Sequence, residues 1–209
     1  MIAQSKVVGL TWGGTIFNII NYFPVSVLEH VTFTQFIGEN MKYKSAAGSM
    51  RMVELAAARF SAEYLTMTGP LYIIDDATRE KMAQEIAVQP AFAASKQMDL
   101  LFTTLGTMAS LESIPTWNEN LDMILGDINH GDVAGMLYGR PFDVNGNFLN
   151  PDHDKVFGLS IDEIMETPRR FGIVKSKFKT SAALGALRGK FLTDMVTTES
   201  IARRILSEM

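Results

Sequence analysis

The chain has 209 residues, 19 basic and 23 acidic, for a formal charge of −4, and it has no cysteine. A chain of this size buries roughly 70% of the surface its unfolded form exposes, so one packed core is expected without disulfides or metals. The slightly acidic balance argues against a direct grip on a nucleic-acid backbone. The absence of thiols excludes thiolate metal sites and thiol nucleophiles.

Short β-rich runs alternate with runs of helical period, the pattern of an α/β fold with a mostly parallel sheet flanked by helices. A single domain over residues 1–209 is expected. Residues 6–11 (KVVGLT) read as a buried strand that ends in Trp12-Gly13-Gly14-Thr15. Ile16, Ile19, Ile20 and Phe23 then recur at helical spacing until Pro24 stops the helix. A second strand is expected over 29–37 and a helix over 50–64. Residues 71–74 read as a short strand, and Asp75-Asp76-Ala77-Thr78 opens a helix through Gln84, with acidic residues where a helix N-terminus favours them. Residues 91–96 read as helix and 98–104 (MDLLFTT) as a buried strand ending at Leu105-Gly106-Thr107.

Further along, 134–142 is expected to be extended, and Asp143-Val144-Asn145-Gly146-Asn147 to form a tight hairpin turn on its Asn-Gly step. A strand over 171–174 is followed by a helix over 179–188, with Gly189 as its C-cap. The last strand is placed at 191–196 and a closing helix at 198–207, where Glu199 precedes Arg203 by four. No stretch of 18 uninterrupted apolar residues and no secretory leader pattern occurs, so neither a membrane span nor export is expected.

The strongest local signal for chemistry is strand, Trp12-Gly13-Gly14-Thr15, helix. A helix start offers unpaired N–H groups and partial positive charge, glycines admit a ligand close to the backbone, and the Thr hydroxyl adds a donor. The run is neither GxGxxG nor GxxxxGK[ST], so phosphate or another anion is the fitting ligand class and a plain tight turn is the alternative. Gly38 and Gly106 would share that carboxyl edge if the strands are parallel, although each alone also suits a turn. Lys179 is either a point charge for a phosphate or a solvated loop lysine. Lys6, Lys42, Lys44 and Arg51 are taken as surface residues, and Arg140 stays open.

No nucleophile with an adjacent base stands out. His30, His130 and His153 lack the spacing of a helical metal site, and Asp152-His153-Asp154 follows Asn150-Pro151 as a polar loop. A sugar-phosphate isomerase needs only one carboxylate and would leave little trace.

Taken in order, Val8-Gly9-Leu10-Thr11-Trp12-Gly13-Gly14-Thr15, Thr34-Gln35-Phe36-Ile37-Gly38, Pro70-Leu71-Tyr72-Ile73-Ile74 and Gly131-Asp132-Val133-Ala134-Gly135 carry a resemblance, as do Gly139, Phe142-Asp143 and Gly146. The tail is the most specific part: Phe157-Gly158-Leu159-Ser160, Pro168-Arg169, Lys179, Ala182-Ala183-Leu184, Ala186-Leu187-Arg188-Gly189 and Thr193-Asp194 before Ala202. Together they resemble the effector-binding domain of the SorC family of bacterial sugar-responsive transcription regulators.

The resemblance implies a Rossmann-like fold related to sugar-phosphate isomerases and CoA transferases. It also implies a sugar, phosphosugar or sugar-alcohol effector, no catalysis and no cofactor or metal. A cytoplasmic homo-oligomer, dimer or tetramer, is implied, with operator DNA read by an N-terminal helix-turn-helix that nothing before Lys6 matches. The fragment alone is therefore expected not to bind an operator. By the same resemblance Trp12, Gly13, Gly14 and Thr15 form the phosphate-holding loop, Ile37, Gly38 and Ser49 the sugar-facing wall, and Lys179 the second cationic contact. Gly106 joins them from the strand-edge pattern. Two departures are Met136, where the family usually has a carboxylate, and Glu39, where it usually has a second glycine; both are expected to alter which sugar fits.

Overall fold

The computed structural model describes residues 1–40 and 49–208, with the backbone alone for Ser49, Met50 and Arg51. Lys42, Lys44 and the Arg51 side chain, assigned to the surface above, lie outside the described residues. In chain order the first half contains β1 (Val7–Leu10), α1 (Gly14–Asn21), β2 (Thr32–Thr34), α2 (Ser49–Phe60), β3 (Glu63–Leu65), α3 (Asp76–Ala83), α4 (Gln89–Ser95) and β4 (Leu100–Thr103). The second half contains α5 (Met108–Glu112), α6 (Pro115–Asn118), α7 (Leu121–Leu125), β5 (Gly135–Leu137), β6 (Arg140–Phe142), α8 (Ile161–Met165), β7 (Arg169–Val174), α9 (Thr180–Arg188), β8 (Asp194–Thr197) and α10 (Glu199–Glu208). These elements form two compact units, Met1–Thr103 with Val156–Arg170, and Thr104–Lys155 with Phe171–Met209.

In the first unit the strands run in the order β3-β2-β1-β4. All three pairings are parallel, with Val8 opposite Phe33 and Leu100, and Phe33 opposite Tyr64. Parallel pairing puts every carboxyl end on one edge and requires crossovers, which α1, α2 and the α3–α4 segment supply. Val8, Leu10, Phe33 and Leu100 are buried on the sheet face that Phe60 of α2 covers, and Leu101 on the opposite face; Ile16 and Ile20, one turn apart on α1, and Met52, Val53 and Ala56 on α2 are buried as well. Each such aliphatic or aromatic side chain contributes roughly 1.5–3 kcal/mol by leaving water. Phe60 stacks on Phe33 with ring centres 5.8 Å apart, and Phe23 leans on Phe60 and Phe102 at 5.6 and 6.1 Å. A Cβ on Gly9 of β1 would sit 2.1 Å from the Met98 sulfur and 3.0 Å from the Phe36 ring, so a side chain there would require both to shift.

In the second unit β7 and β8 pair in parallel, Phe171 opposite Asp194, and β5 and β6 form an antiparallel hairpin. Ala182, Ala183, Leu184, Gly185 and Ala186 are all buried, so α9 is enclosed around a full turn. Small residues there let β5 approach: a Cβ on Gly135 would lie 2.6 Å from the Ala182 methyl. Phe142, Phe148 and Phe191 form an aromatic cluster with centres 4.4 to 6.3 Å apart.

Several boundaries differ from the sequence expectation, each for a local reason. The strand expected over 29–37 pairs in the ladder only at Thr32–Thr34. Beyond it the buried Gln35 amide donates to the Ile37 and Met67 carbonyls and turns the chain aside. The helix expected to reach 64 ends at Phe60, where Ser61 takes a φ of 47°, and this frees Glu63–Leu65 to form β3. Residues 71–74 are not a strand of the sheet; they make an isolated bridge, Tyr72 with Val156, after Pro70, which has no N–H to donate.

The tight two-residue turn falls at Tyr138-Gly139, with φ of 53° and 80°, rather than at Asn145-Gly146, where only the glycine has positive φ. The 143–147 loop is closed instead by the Asp143 carboxylate, which accepts from the Asn145 and Asn147 amides. Gly189 is the C-cap of α9, as expected, with a right-handed φ of −75°, and the left-handed position falls on Lys190 after it. Gly189 is needed because a Cβ would meet the Gly146 carbonyl at 2.6 Å. The last strand shifts to Asp194–Thr197, since Phe191 belongs to the aromatic cluster. Helix α8 escaped the sequence reading although its Ser160–Glu163 capping box is spelled out in the chain.

Candidate functional site

In the first unit, β1 ends at Leu10 and the Thr11 hydroxyl is buried near the Phe102 carbonyl and the Thr103 hydroxyl, at 3.5 and 3.4 Å. This fixes the exit of the chain into Trp12-Gly13-Gly14-Thr15. Gly13 has φ 125° and ψ 152°, a conformation that essentially only glycine adopts, and its carbonyl accepts from Phe17 to start α1. The Gly13 cap brings no side-chain acceptor, so the first amides of the helix keep the unpaired donors and partial positive charge of a helix start. Gly14 is exposed, and a Cβ built on it meets nothing within 4 Å, so the start of α1 is open to solvent. Trp12 and Thr15 are half-buried beside it. The arrangement suits an anion.

The segment after β2 also leaves the carboxyl edge. Ile37 is fully buried and bridges to Gly158, while Gly38 donates to the Phe157 carbonyl at 2.8 Å. A Cβ on Gly38 would sit 2.3 Å from the Pro70 carbonyl, so this glycine is explained by close chain packing. Glu39 follows, half-buried, with burial holding its carboxyl above the ordinary range. Ser49 opens α2, and its side chain lies outside the described residues.

In the second unit, three residues singled out separately in the sequence come together. Gly106 and Met136 form an antiparallel bridge, with Gly106 donating at 2.8 Å and Met136 donating back at 3.1 Å. The Lys179 ammonium donates to the carbonyl of Leu105, the residue before Gly106. Burial, with a smaller push from Lys175, lowers the Lys179 pKa. A partly desolvated ammonium that holds one carbonyl is poised to gain from an anion. A Cβ on Gly106 would lie 3.1 Å from that of Met136, so this glycine too is accounted for by chain approach.

The residues left open resolve as structural. Arg140 is buried and pairs with Asp154 through Nε at 2.8 Å and Nη2 at 2.6 Å, while Nη1 holds the Tyr138 carbonyl. His153 contacts the Met123 carbonyl at 3.1 Å, so the Asp152-His153-Asp154 run is fastened loop. Asp75 caps α3 by accepting from Thr78, which also lowers its pKa. Among the described residues no group of three or more His, Asp or Glu is arranged to hold a metal, and no helix is long and apolar enough to cross a membrane. Gln35 fixes the course of the chain into Ile37 and Gly38, and no sequence signal marks it, because a fully buried amide is not visible in the residue pattern.

A parallel open sheet that presents unpaired helix amides at its carboxyl edge defines a small-molecule-binding α/β domain. The chain belongs to the family described as "Putative sugar-binding domain", whose model matches residues 1–207. It is 22% identical to the sorbitol operon regulator of Klebsiella pneumoniae over 99% of this chain and 66% of that protein. It is also 22% identical to the transcriptional regulator YjhU of Escherichia coli, over 99% of this chain and 63% of that one. The chain thus spans about two thirds of the length of these relatives.

Among solved structures, the full-length sorbitol operon regulator SorC from Klebsiella pneumoniae superposes with a TM-score of 0.80 at 20% identity, covering 96% of this chain and 65% of that one. A DeoR family regulator from Listeria monocytogenes gives 0.81 at 20% identity, covering 98% and 81%. At such identities the superpositions show the fold. The resemblance to SorC-family regulators read from the sequence stands, and these relatives are regulators rather than enzymes.

Proposed function

We propose that this chain is the effector-sensing module of a bacterial regulator of a carbohydrate-utilisation operon, and that its effector is a phosphorylated sugar or sugar alcohol. The observation that carries the reading is the exposed start of α1 at Gly14, which has no neighbour around its Cβ position and no side-chain cap on its first amides. A phosphate ester there accepts from the amides and meets the positive end of the helix. Thr15 adds a hydroxyl donor, with Trp12 and Gly13 shaping the loop and Ile37, Gly38 and Ser49 belonging to the next strand-edge segment. In the second unit, Lys179, Gly106 and Met136 are a second set of effector contacts, tested separately from the first.

Sensing requires the effector to bind two states of the regulator unequally. In this reading the states differ in a homo-oligomer, dimer or tetramer, of a cytoplasmic protein. Operator DNA is read by a part of the regulator outside these 209 residues, and the fragment alone does not retard operator DNA. The test is a thermal-shift screen with phosphorylated and free pentoses, hexoses and hexitols. A phosphorylated member at a hundred times its Kd adds about 2.7 kcal/mol of stability, and its free counterpart adds little. Stabilisation by free sugars alone overturns the phosphate assignment. Steady conversion of a bound phosphosugar, followed by NMR, rejects a sensor altogether.

A further inference from the structure

We propose that Glu39 determines effector specificity, its carboxylate receiving a hydroxyl or protonated amine of the sugar. The proposal rests on the reading of the chain as a phosphosugar-binding module and names the part of the sugar that the module selects.

Three features of the structure lead to it. Glu39 lies on the segment that leaves the carboxyl edge at β2, the edge on which β1 presents the Gly13-Gly14 loop. Its backbone is fastened on both sides, its N–H donating to the Gly69 carbonyl at 2.8 Å and its carbonyl accepting from Leu71 at 2.7 Å. Gly38 before it is locked against Pro70, which any side chain would strike. The carboxylate therefore springs from a rigid frame, and its placement costs a ligand little ordering entropy.

The side chain is half-buried, yet among the described residues no cation and no hydrogen-bond donor faces it, and burial is the single influence on its ionisation. Arg140, Glu163 and Asp143, by contrast, all have protein partners. A partly desolvated carboxylate without a partner is unfavourable in the empty protein. A ligand that supplies donors removes that penalty, whereas a ligand with a methylene in the same place leaves it. This difference is large enough to discriminate between otherwise similar sugars.

The experiment measures calorimetric binding of inorganic phosphate, glucose 6-phosphate and glucosamine 6-phosphate to the chain and to its Glu39→Gln and Glu39→Gly variants. Both variants are expected to bind inorganic phosphate as the parent does. One or both sugar phosphates should weaken at least tenfold relative to inorganic phosphate, loss of the amino form alone marking an ammonium donor and loss of both a hydroxyl. The unliganded Glu39→Gln protein should melt no lower than the parent, since it loses an uncompensated charge; a carboxylate with a purely structural role would lower the melting temperature. If the sugar phosphates keep their ratio to inorganic phosphate within twofold, the inference is overturned while the anion loop survives. If the parent binds none of the three, the phosphosugar reading fails and takes this inference with it.

Discussion

Replacing Gly14 by alanine should move stability and binding in opposite directions. Gly14 is a helical residue without positive φ, and a Cβ there meets nothing within 4 Å. Alanine fits that backbone without a clash and reduces the freedom of the unfolded chain, a change worth about 0.4–1 kcal/mol. For a chain of this size that is a rise in Tm of about 1–4 °C. The new methyl crowds the exposed start of α1 and its first amides. Losing one charge-assisted hydrogen bond, at about 1.5–3 kcal/mol, weakens an anion roughly ten- to hundredfold. The assay pairs a thermal melt of the empty protein with calorimetric titration of inorganic phosphate and of the best phosphosugar. Gly13→Ala provides the contrast, since φ 125° is strained for any side chain and should lower stability by about 1–3 kcal/mol. A Gly14→Ala protein that melts normally and binds with unchanged affinity would refute the reasoning.

Four further outcomes follow from the geometry. Gln35→Leu removes the donor to the Ile37 and Met67 carbonyls and should cost about 1–3 kcal/mol for each buried acceptor left unpaired; urea titration measures it, and a loss below 0.5 kcal/mol would show that water takes over the amide's place. Arg140→Met removes both contacts to the Asp154 carboxylate and the donor to the Tyr138 carbonyl, and should destabilise by about 1.5–3 kcal/mol. Glu199→Ala on α10, where both partners of the Arg203 pair are exposed, should cost about 0.5 kcal/mol or less in the same chemical denaturation. Burial lowers the Lys179 pKa, so on raising the pH the ammonium is lost before an ordinary lysine at 10.5 would lose it. Between those two values the unfolded chain holds more protons, and stability therefore rises with pH across that alkaline window. Phosphosugar affinity should fall over the same window, and Lys179→Met should abolish that fall.

Much of the architecture was legible because it depends on local rules. The β1-to-α1 transition is marked by apolar strand residues, two glycines and a helical repeat of isoleucines, and the structure places α1 at Gly14–Asn21. Asp75 as a cap and the Glu199–Arg203 pair follow from spacing alone. What escaped depends on contacts distant in sequence. Strand β3 exists because Ser61 accepts a left-handed conformation and Tyr64 finds Phe33, which helical propensity over 50–64 conceals. Gly38 and Gly106 look like ligand glycines in the sequence, yet each is required by a neighbouring chain, Pro70 or Met136. Gly14 alone of the three faces open space. The approach of Lys179 to Leu105 spans 74 residues and has no local signature.

The central claim is that the amides opening α1 grip a phosphate ester. Its most direct test is an NMR titration of the ¹⁵N-labelled chain with the tightest phosphosugar from the thermal screen and with the matching free sugar. The Gly14 and Thr15 amide resonances should move downfield and saturate with the phosphorylated compound, and stay in place with the free one. Saturable binding that shifts other residues while Gly14 and Thr15 remain unmoved would contradict it.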